Sequence, residues 1–352
     1  SSRVSEEALD YLKKNGVAVR PYGEILDGIA AIDVPTVMLV SVENVNYRLY
    51  LAMEENPRVT IVKGEEPAFC LKAVKNPVEI ANTKKAHIKE GVAMARLQMC
   101  LEEKLAAGET VSETDVGELL VDFRKEQEGY MEDSFAVIAA YGANAAMMHY
   151  HPTPENHAVL QRKGFLLLDT GGQYVDGTTD TTRTYALGEL TDEERRYYTY
   201  VLKANIGIAR TVFMEGCSGA NLDIMSRTQI WKYGLDYRCG TGHGVGFVGP
   251  IHEGPQSLRM TNHVPFQPGM TITDEPGIYE EGLVGVRIEN ELLVVEHMET
   301  KYGKFYAFQP ITYLPIDTTP VVLELMNEEE ISWLNDYHQM VYDTLSPRMT
   351  ER

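Results

Sequence analysis

The chain has 352 residues, enough for two domains of ordinary size or for one large domain with an appendage. It carries 52 acidic and 32 basic side chains, a formal charge of −20, so a phosphate backbone would be repelled. No apolar run approaches the ~20 residues of a membrane span, and the first residues lack a signal peptide's apolar stretch. We therefore expect neither a nucleic-acid partner nor a membrane partner.

Four cysteines are scattered along the chain without the CxxC spacing of a zinc or redox motif: Cys70, Cys100, Cys217 and Cys239. A chain of this size does not need disulfides to stabilise its core, so we expect reduced cysteines. This cysteine usage predicts a cytoplasmic protein.

Residues 1–73 mix short helical and strand signals, which indicates part of a small α/β domain. An apolar helical face in the first residues ends at Gly16. The predicted strands that follow are Val17–Val19, Val37–Val40 and Val59–Val62. The chain starts directly in a helical pattern without Met, so we expect a piece of a longer protein. Asn76-Pro77 favours a boundary, with a second domain at 74–352.

From residue 74 onward a pattern of two helices followed by strands runs twice. The predicted helices are 82–107, one beginning near Ser112, one from the capping box at Thr191 to about Gly216, and 221–234. The predicted strands are 136–138 and 165–168 in the first half, and 270–273 and 284–295 in the second. A last helix begins at the cap Asn327. The pattern predicts an α+β fold of two related halves with a C-terminal helical extension.

The segment 169–184 is the first with unusual chemistry. Four apolar residues lead directly into Asp169, which places a carboxylate at the end of a buried strand, where an unpaired charge is costly. Asp176-Gly177 is a hairpin turn signal, and regular pairing would leave Asp169 and Asp180 ~13 Å apart. We expect Gly171-Gly172 to bend the strand through a bulge, so that both carboxylates converge. Ordinary turn chemistry explains two aspartates in a hairpin equally well at this point.

Two further segments combine histidines or acids with glycine and proline. The loop 240–246 surrounds His243 with four glycines, which lets a ligand or a backbone segment approach the imidazole, and His252 follows in a turn-rich loop. A strand ending in Glu275 is stopped by Pro-Gly. A third segment, 286–292, has a strand pattern whose alternation places Arg287 and Glu289 on one face. A salt bridge between these two side chains is the alternative to a functional site.

Five side chains form the candidate metal site: Asp169, Asp180, His243, Glu275 and Glu289. Four carboxylates and an imidazole cannot share a buried pocket by themselves, because like charges at close range force most of them to be protonated. Two divalent ions ~3.5 to 4 Å apart would use bridging carboxylates and neutralise the cluster. Oxygen-rich ligation with a single nitrogen favours Mn²⁺, or another hard to borderline ion, over a thiolate zinc site.

The same segments, in the same order, resemble the dinuclear-metal "pita-bread" peptidases over residues 74–345. The motifs that carry the resemblance are the hairpin, the glycine-rich loop around His243, His-Glu-Gly-Pro, Asp-Glu-Pro-Gly and Val-Arg-Ile-Glu-Asn. The similarity is greatest to the Xaa-Pro aminopeptidases (aminopeptidase P), especially the cytosolic type. It implies a pita-bread fold after the partial small domain, and it leaves a homodimer open.

The resemblance also implies a role for each candidate ligand. It makes Asp180 and Glu289 the ligands that bridge both metals. Asp169 becomes the further ligand of one metal, and His243 and Glu275 become those of the other. All five positions are filled, which argues against a non-catalytic binding module on the same fold.

The reaction implied is hydrolysis of the first peptide bond of a peptide with proline at the second position, by a hydroxide that bridges the metals. His149 and His252 match two additional site histidines and would bind the carbonyl oxygen. Glu275 would also carry the proton to the leaving nitrogen, and Arg287 matches an arginine beside the metal carboxylates. A prolidase limited to Xaa-Pro dipeptides is the nearest alternative.

Overall fold

The structure, a computed structural model, describes residues 4–349, and the chain divides into two units between Leu71 and Lys72. The elements of the first unit are α1 Glu6–Lys14, α2 Ile25–Ala30, β1 Thr36–Val40, α3 Tyr47–Glu55, β2 Val59–Lys63 and α4 Pro67–Ala73, which runs across the division. β1 and β2 pair in parallel, and they confirm two of the three predicted strands. The strand predicted at Val17–Val19 is wrong, because these residues have no strand beside them to complete a ladder. Residues 1–3 of the predicted first domain lie outside the described residues.

The second unit begins with the two helices α5 Pro77–Ala106 and α6 Glu113–Lys125. α5 starts five residues before its predicted start, because Asn76 caps it: the Asn76 side chain accepts from Val78 N and Glu79 N, and Glu79 accepts from Asn76 N. Proline at the first helical position has no N–H to satisfy, so Asn76-Pro77 starts a helix here. α6 follows the cap Ser112, as predicted.

Antiparallel strands complete the first half of this unit. They are β3 Tyr130–Asp133, β4 Ile138–Tyr141, β5 Phe165–Thr170, β6 Gly172–Tyr174, β7 Gly177–Thr178 and β8 Thr181–Ala186. One sheet has the order β4-β5-β8 and the other β3-β6-β7. β4 lies two residues beyond its predicted start, because its pairing with β5 begins where Ile138 faces Asp169.

The second half repeats the helix, helix, strand order with one addition. Its elements are α7 Asp192–Ala209, β9 Val212–Met214, α8 Gly219–Trp231, β10 Gly242–His243, β11 Ser257–Leu258, β12 Thr271–Asp274, β13 Gly277–Glu280, β14 Val284–Arg287, β15 Asn290–Thr300 and β16 Gly303–Pro310. α7 ends at Ala209 and not near Gly216, because β9 pairs with β16 in the sheet β12-β15-β16-β9. The single strand predicted at 284–295 is two strands: β14 pairs with β13, whereas β15 pairs with β12 and β16.

The helix predicted at the C-terminus is α9, Glu328–Leu345, and it follows its Asn327 cap. α5 and α6 bury leucines against β5, and residues of α7, α9 and β14 share a second apolar cluster, which also includes Phe165 of β5. Within residues 4–349, no helix combines the length and apolar character of a membrane span.

Candidate metal centre

Asp169 and Asp180 lie on either side of a segment in which the chain passes from one sheet to another. β5 ends at Thr170, and the chain resumes after Gly171 as β6, which pairs with β3 and β7 instead of β4 and β8. A side chain at Gly171 is excluded, because its Cβ would lie 1.8 Å from Thr179 O. The expected departure from a regular ladder is therefore present as a break between strands and not as a bulge. Asp169 faces Thr182 across the β5–β8 pair, and Asp180 directly precedes β8.

His243 lies on β10, in the loop whose glycines the sequence singled out. A Cβ at Gly242 would lie 1.8 Å from Thr273 O, and one at Gly244 would lie 2.1 Å from Glu253 O. The glycines therefore serve close backbone packing. The Nδ1 atom of His243 is 3.0 Å from Gly244 O, which assigns the proton to Nδ1 and leaves the lone pair on Nε2.

Glu275 and Glu289 follow the ends of β12 and β14, and each is fixed by a threonine. The Thr182 hydroxyl donates to Glu289 Oε2 at 2.7 Å, and Glu289 N donates to Thr182 O. The Thr273 hydroxyl donates to Glu275 Oε1 at 3.2 Å and accepts from the backbone N–H of His243 at 3.0 Å. The sequence predicts no role for either threonine.

Three of the five predicted ligands form a tight group. Asp180, His243 and Glu289 each offer one ligand atom, and these atoms lie within 4.8 Å of one another. Glu275 adjoins the group, with Oε1 3.4 Å from His243 Nε2, which is also 3.5 Å from Asp180 Oδ2. Asp169 is outside it, paired with Arg287.

Arg287 is buried beside the carboxylates, as expected, but its ion-pair partner is Asp169. Its Nη2 lies 2.5 Å from Asp169 Oδ2, and its Nη1 donates to the Tyr279 hydroxyl at 2.8 Å. The alternative of a strand salt bridge from Arg287 to Glu289 is wrong, because β14 ends at Arg287 and the backbone leaves the strand before Glu289. Tyr279 was not predicted.

His252 and His149 are exposed on loops at the edge of the group. The ring of His252 lies 3.9 Å from that of His243, centroid to centroid. His149 follows Met148, whose carbonyl oxygen is 3.5 Å from Arg287 Nη2. Partial desolvation by the surrounding atoms and the neighbouring His243 lower the pKa of His252, so its imidazole is neutral at pH 7.

The electrostatics of the group fit bound divalent cations. Burial raises the pKa of Asp180 and Glu289 well above the usual range, and the neighbouring carboxylates raise it further. Burial likewise raises the pKa of Glu275, and Asp169 Oδ1 is buried without a hydrogen-bond partner among the described residues. Buried carboxylates without cationic partners are unfavourable, and these side chains provide the oxygen-rich donor set that a hard or borderline divalent ion prefers.

Comparison with known families shows to which family the chain belongs. Residues 81–296 match the model of metallopeptidase family M24, and residues 304–352 match the C-terminal region of that family. The chain belongs to metallopeptidase family M24. Residues 1–79 match the creatinase/prolidase N-terminal domain.

Curated relatives point in the same direction. Aminopeptidase P2 of Arabidopsis thaliana is 38% identical over 99% of this chain and 53% of its own length. A probable Xaa-Pro aminopeptidase P of Sclerotinia sclerotiorum is 36% identical over 97% of this chain and 59% of its own length. The chain thus spans little more than half the length of these relatives.

Two solved structures share the architecture. The X-prolyl aminopeptidase of Caenorhabditis elegans, described as a cytosolic enzyme with a di-nuclear active site, gives a TM-score of 0.91 at 32% identity, over 99% of this chain and 57% of that one. The Xaa-Pro dipeptidase of Bacillus anthracis gives a TM-score of 0.71 at 27% identity, over 88% of this chain and 83% of that one. The predicted pita-bread fold is confirmed.

Proposed function

We propose that this chain is the catalytic part of a metal-dependent Xaa-Pro aminopeptidase, with the catalytic domain at 74–352. The observation that carries the proposal is the gathering of Asp180, His243 and Glu289 within 4.8 Å at the meeting point of both halves' strands. The relatives named aminopeptidase P and the X-prolyl aminopeptidase structure support the substrate class, a peptide with proline at its second position.

The ligand set of this proposal consists of five residues. Asp180 and Glu289 would each hold both of two ions, Asp169 would hold one of them, and His243 with Glu275 would hold the other. The oxygen-rich donors and the single imidazole nitrogen favour Mn²⁺. Bound ions supply an activated water for attack and polarise the scissile carbonyl. Arg287 holds Asp169 in place through its ion pair.

The remaining roles belong to side chains around the ligands. Neutral His252 donates a hydrogen bond to the carbonyl oxygen as negative charge develops there, and His149 does so from the adjacent loop. Glu275 would accept a proton from the attacking water and transfer it to the leaving proline nitrogen. A tertiary Xaa-Pro amide has no N–H, so the site must recognise the shape of the proline ring.

The test is an assay of the purified chain on Arg-Pro-Pro, Arg-Ala-Pro and Gly-Pro, each with and without added Mn²⁺. We expect Mn²⁺-dependent release of arginine from Arg-Pro-Pro, little from Arg-Ala-Pro, and slower cleavage of Gly-Pro. Cleavage of Gly-Pro alone would make the protein a prolidase. A chain that binds these peptides but cleaves none would be a binding module.

We further propose a cytoplasmic location, which the four free cysteines and the cytosolic Caenorhabditis elegans neighbour support. A homodimer stays a prediction. Sedimentation of the purified chain measures its oligomeric state.

A further inference from the structure

Glu113, the first residue of α6, is a fully buried carboxylate that the metal centre does not use. Among the described residues it has no cationic partner within ion-pair distance. Its oxygens instead accept two short backbone hydrogen bonds, from Tyr141 N at 2.6 Å and from Ala158 N at 2.7 Å. A buried charge without a cation persists only when hydrogen bonds replace its lost hydration, so these contacts fix the carboxylate firmly.

The two backbone donors flank the loop 142–157, which connects β4 to the chain before β5. Two side chains of the same loop also donate to Glu113: Asn144 Nδ2 to Oε1 at 2.9 Å and the Tyr150 hydroxyl to Oε2 at 2.8 Å. Burial and the hydrogen bond to Glu113 raise the pKa of Tyr150 to about 12, so its hydroxyl stays a donor near neutral pH. One carboxylate therefore ties the beginning, the middle and the end of the loop.

Apolar contacts hold the loop at few points. Within 142–157 only Ala145 and Tyr150 are buried, where they share a small apolar cluster with Ile138, Ala140 and Leu167, and all the other side chains are partly or fully exposed. Apolar burial usually contributes most to the ordering of a loop. Because little apolar surface is buried here, the hydrogen bonds to Glu113 contribute a larger share.

This loop carries His149 and lies against the metal centre. β14 touches it closely, because a Cβ at Gly285 would lie 1.8 Å from Ala145 O. Arg287, at the end of β14, lies 3.5 Å from Met148 O through Nη2 and pairs with Asp169 through the same atom. A shift of the loop at Glu113 would therefore move His149 relative to the candidate ligands.

We propose that Glu113 is a positioning residue that sets the place of His149 through loop 142–157. The proposal rests on the proposed function, because His149 has its role only in that reaction. Misplacement of a catalytic group by about 1 Å costs up to ~10²-fold in rate, so a remote anchor of this kind has a measurable kinetic effect.

The test replaces Glu113 by glutamine, which keeps the shape but turns one acceptor into a donor facing other donors. We expect Glu113→Gln to lower kcat on Arg-Pro-Pro by ~10-fold to ~100-fold, with KM and metal content near wild type. In a His149→Ala background the same change should lower kcat by less than ~2-fold, because the group it positions is gone. The matched control is Glu118→Gln, an exposed glutamate on the same helix, which should leave kcat unchanged.

A second measurement does not depend on activity. Amide hydrogen exchange within 142–157 should become faster in Glu113→Gln and stay unchanged in Glu118→Gln. If Glu113→Gln fails to fold, Tyr150→Phe removes one hydrogen bond to the same carboxylate and should show the same dependence on His149 at smaller amplitude. Unchanged exchange in Glu113→Gln, or an equal kcat loss with and without His149, would overturn the proposal. Failure of the proposed function appears differently, as a wild-type chain that cleaves no Xaa-Pro peptide.

Discussion

The carboxylate side of the centre and its histidine side are built in different ways. Asp180 and Glu289 are buried next to strands, and a threonine hydroxyl and backbone bonds of the neighbouring strand hold Glu289. His149 and His252 are exposed on loops. The sheets therefore fix the positions of Asp180 and Glu289, whereas the positions of His149 and His252 depend on loops.

The two sides also differ in charge. Burial raises the pKa of Asp180 and Glu289, so in the absence of cations these carboxyls tend to keep their protons. Partial desolvation and the neighbouring His243 lower the pKa of His252, so it tends to lose its proton. Cations are therefore needed to keep both carboxylates ionised, whereas His252 is a neutral hydrogen-bond donor without them.

The largest effect is expected from removing a carboxylate that we propose to bridge the two ions. Asp180→Ala or Glu289→Ala should lower kcat/KM by about 10⁴-fold or more and lower the metal content, because a bridging carboxylate would serve both ions. Asp169→Ala should lower kcat/KM less, since in the proposal Asp169 serves one ion. Elemental analysis and kinetics on the three variants check this order, and equal metal content and turnover in all three would remove the bridging assignment.

A smaller effect is expected on the histidine side. His252→Ala should lower kcat by ~10²-fold to ~10³-fold while metal content stays near wild type, because a donor to the developing oxyanion is lost. His149→Ala should behave in the same way. Loss of metal in either variant would instead make that histidine a ligand, and a folded variant with normal kcat would leave it only a packing role.

The sequence predicts the candidate ligands of the centre better than it predicts the residues that hold them in place. The candidate ligands lie next to strong local signals: the apolar run before Asp169, the glycines around His243 and the Pro-Gly after Glu275. The helix caps at Ser112, Thr191 and Asn327 are equally local, and the predicted helix starts are right there.

The features that sequence reasoning missed depend on pairing between distant segments. β9 exists because it completes the edge of a sheet with β16, and the break before Glu289 exists because β14 and β15 have different partners. The anchor Glu113 follows an ordinary capping signal, and only the folded chain brings residues 141 and 158 to its carboxylate. Periodicity in one segment carries no information about such contacts.

The smallest predicted effect concerns the pH dependence of the metal-free protein. Asp180 and Glu289 have raised pKa values when folded, so their stabilising contribution is complete below the unfolded pKa of about 4 and is lost as the pH rises above it. The Tm of metal-free wild type should therefore fall between about pH 5.5 and pH 8 by at least ~2 °C more than that of Asp180→Asn. Thermal melts of both proteins measure the difference, and parallel pH profiles would contradict it.

The proposed function depends above all on whether the carboxylate side holds a pair of divalent ions. Elemental analysis of the chain after Mn²⁺ loading and removal of free metal measures this, with Asp180→Asn as the reference. We expect about two ions per wild-type chain and fewer in the variant. Tight binding of a single ion, or the same metal content in both proteins, would contradict it.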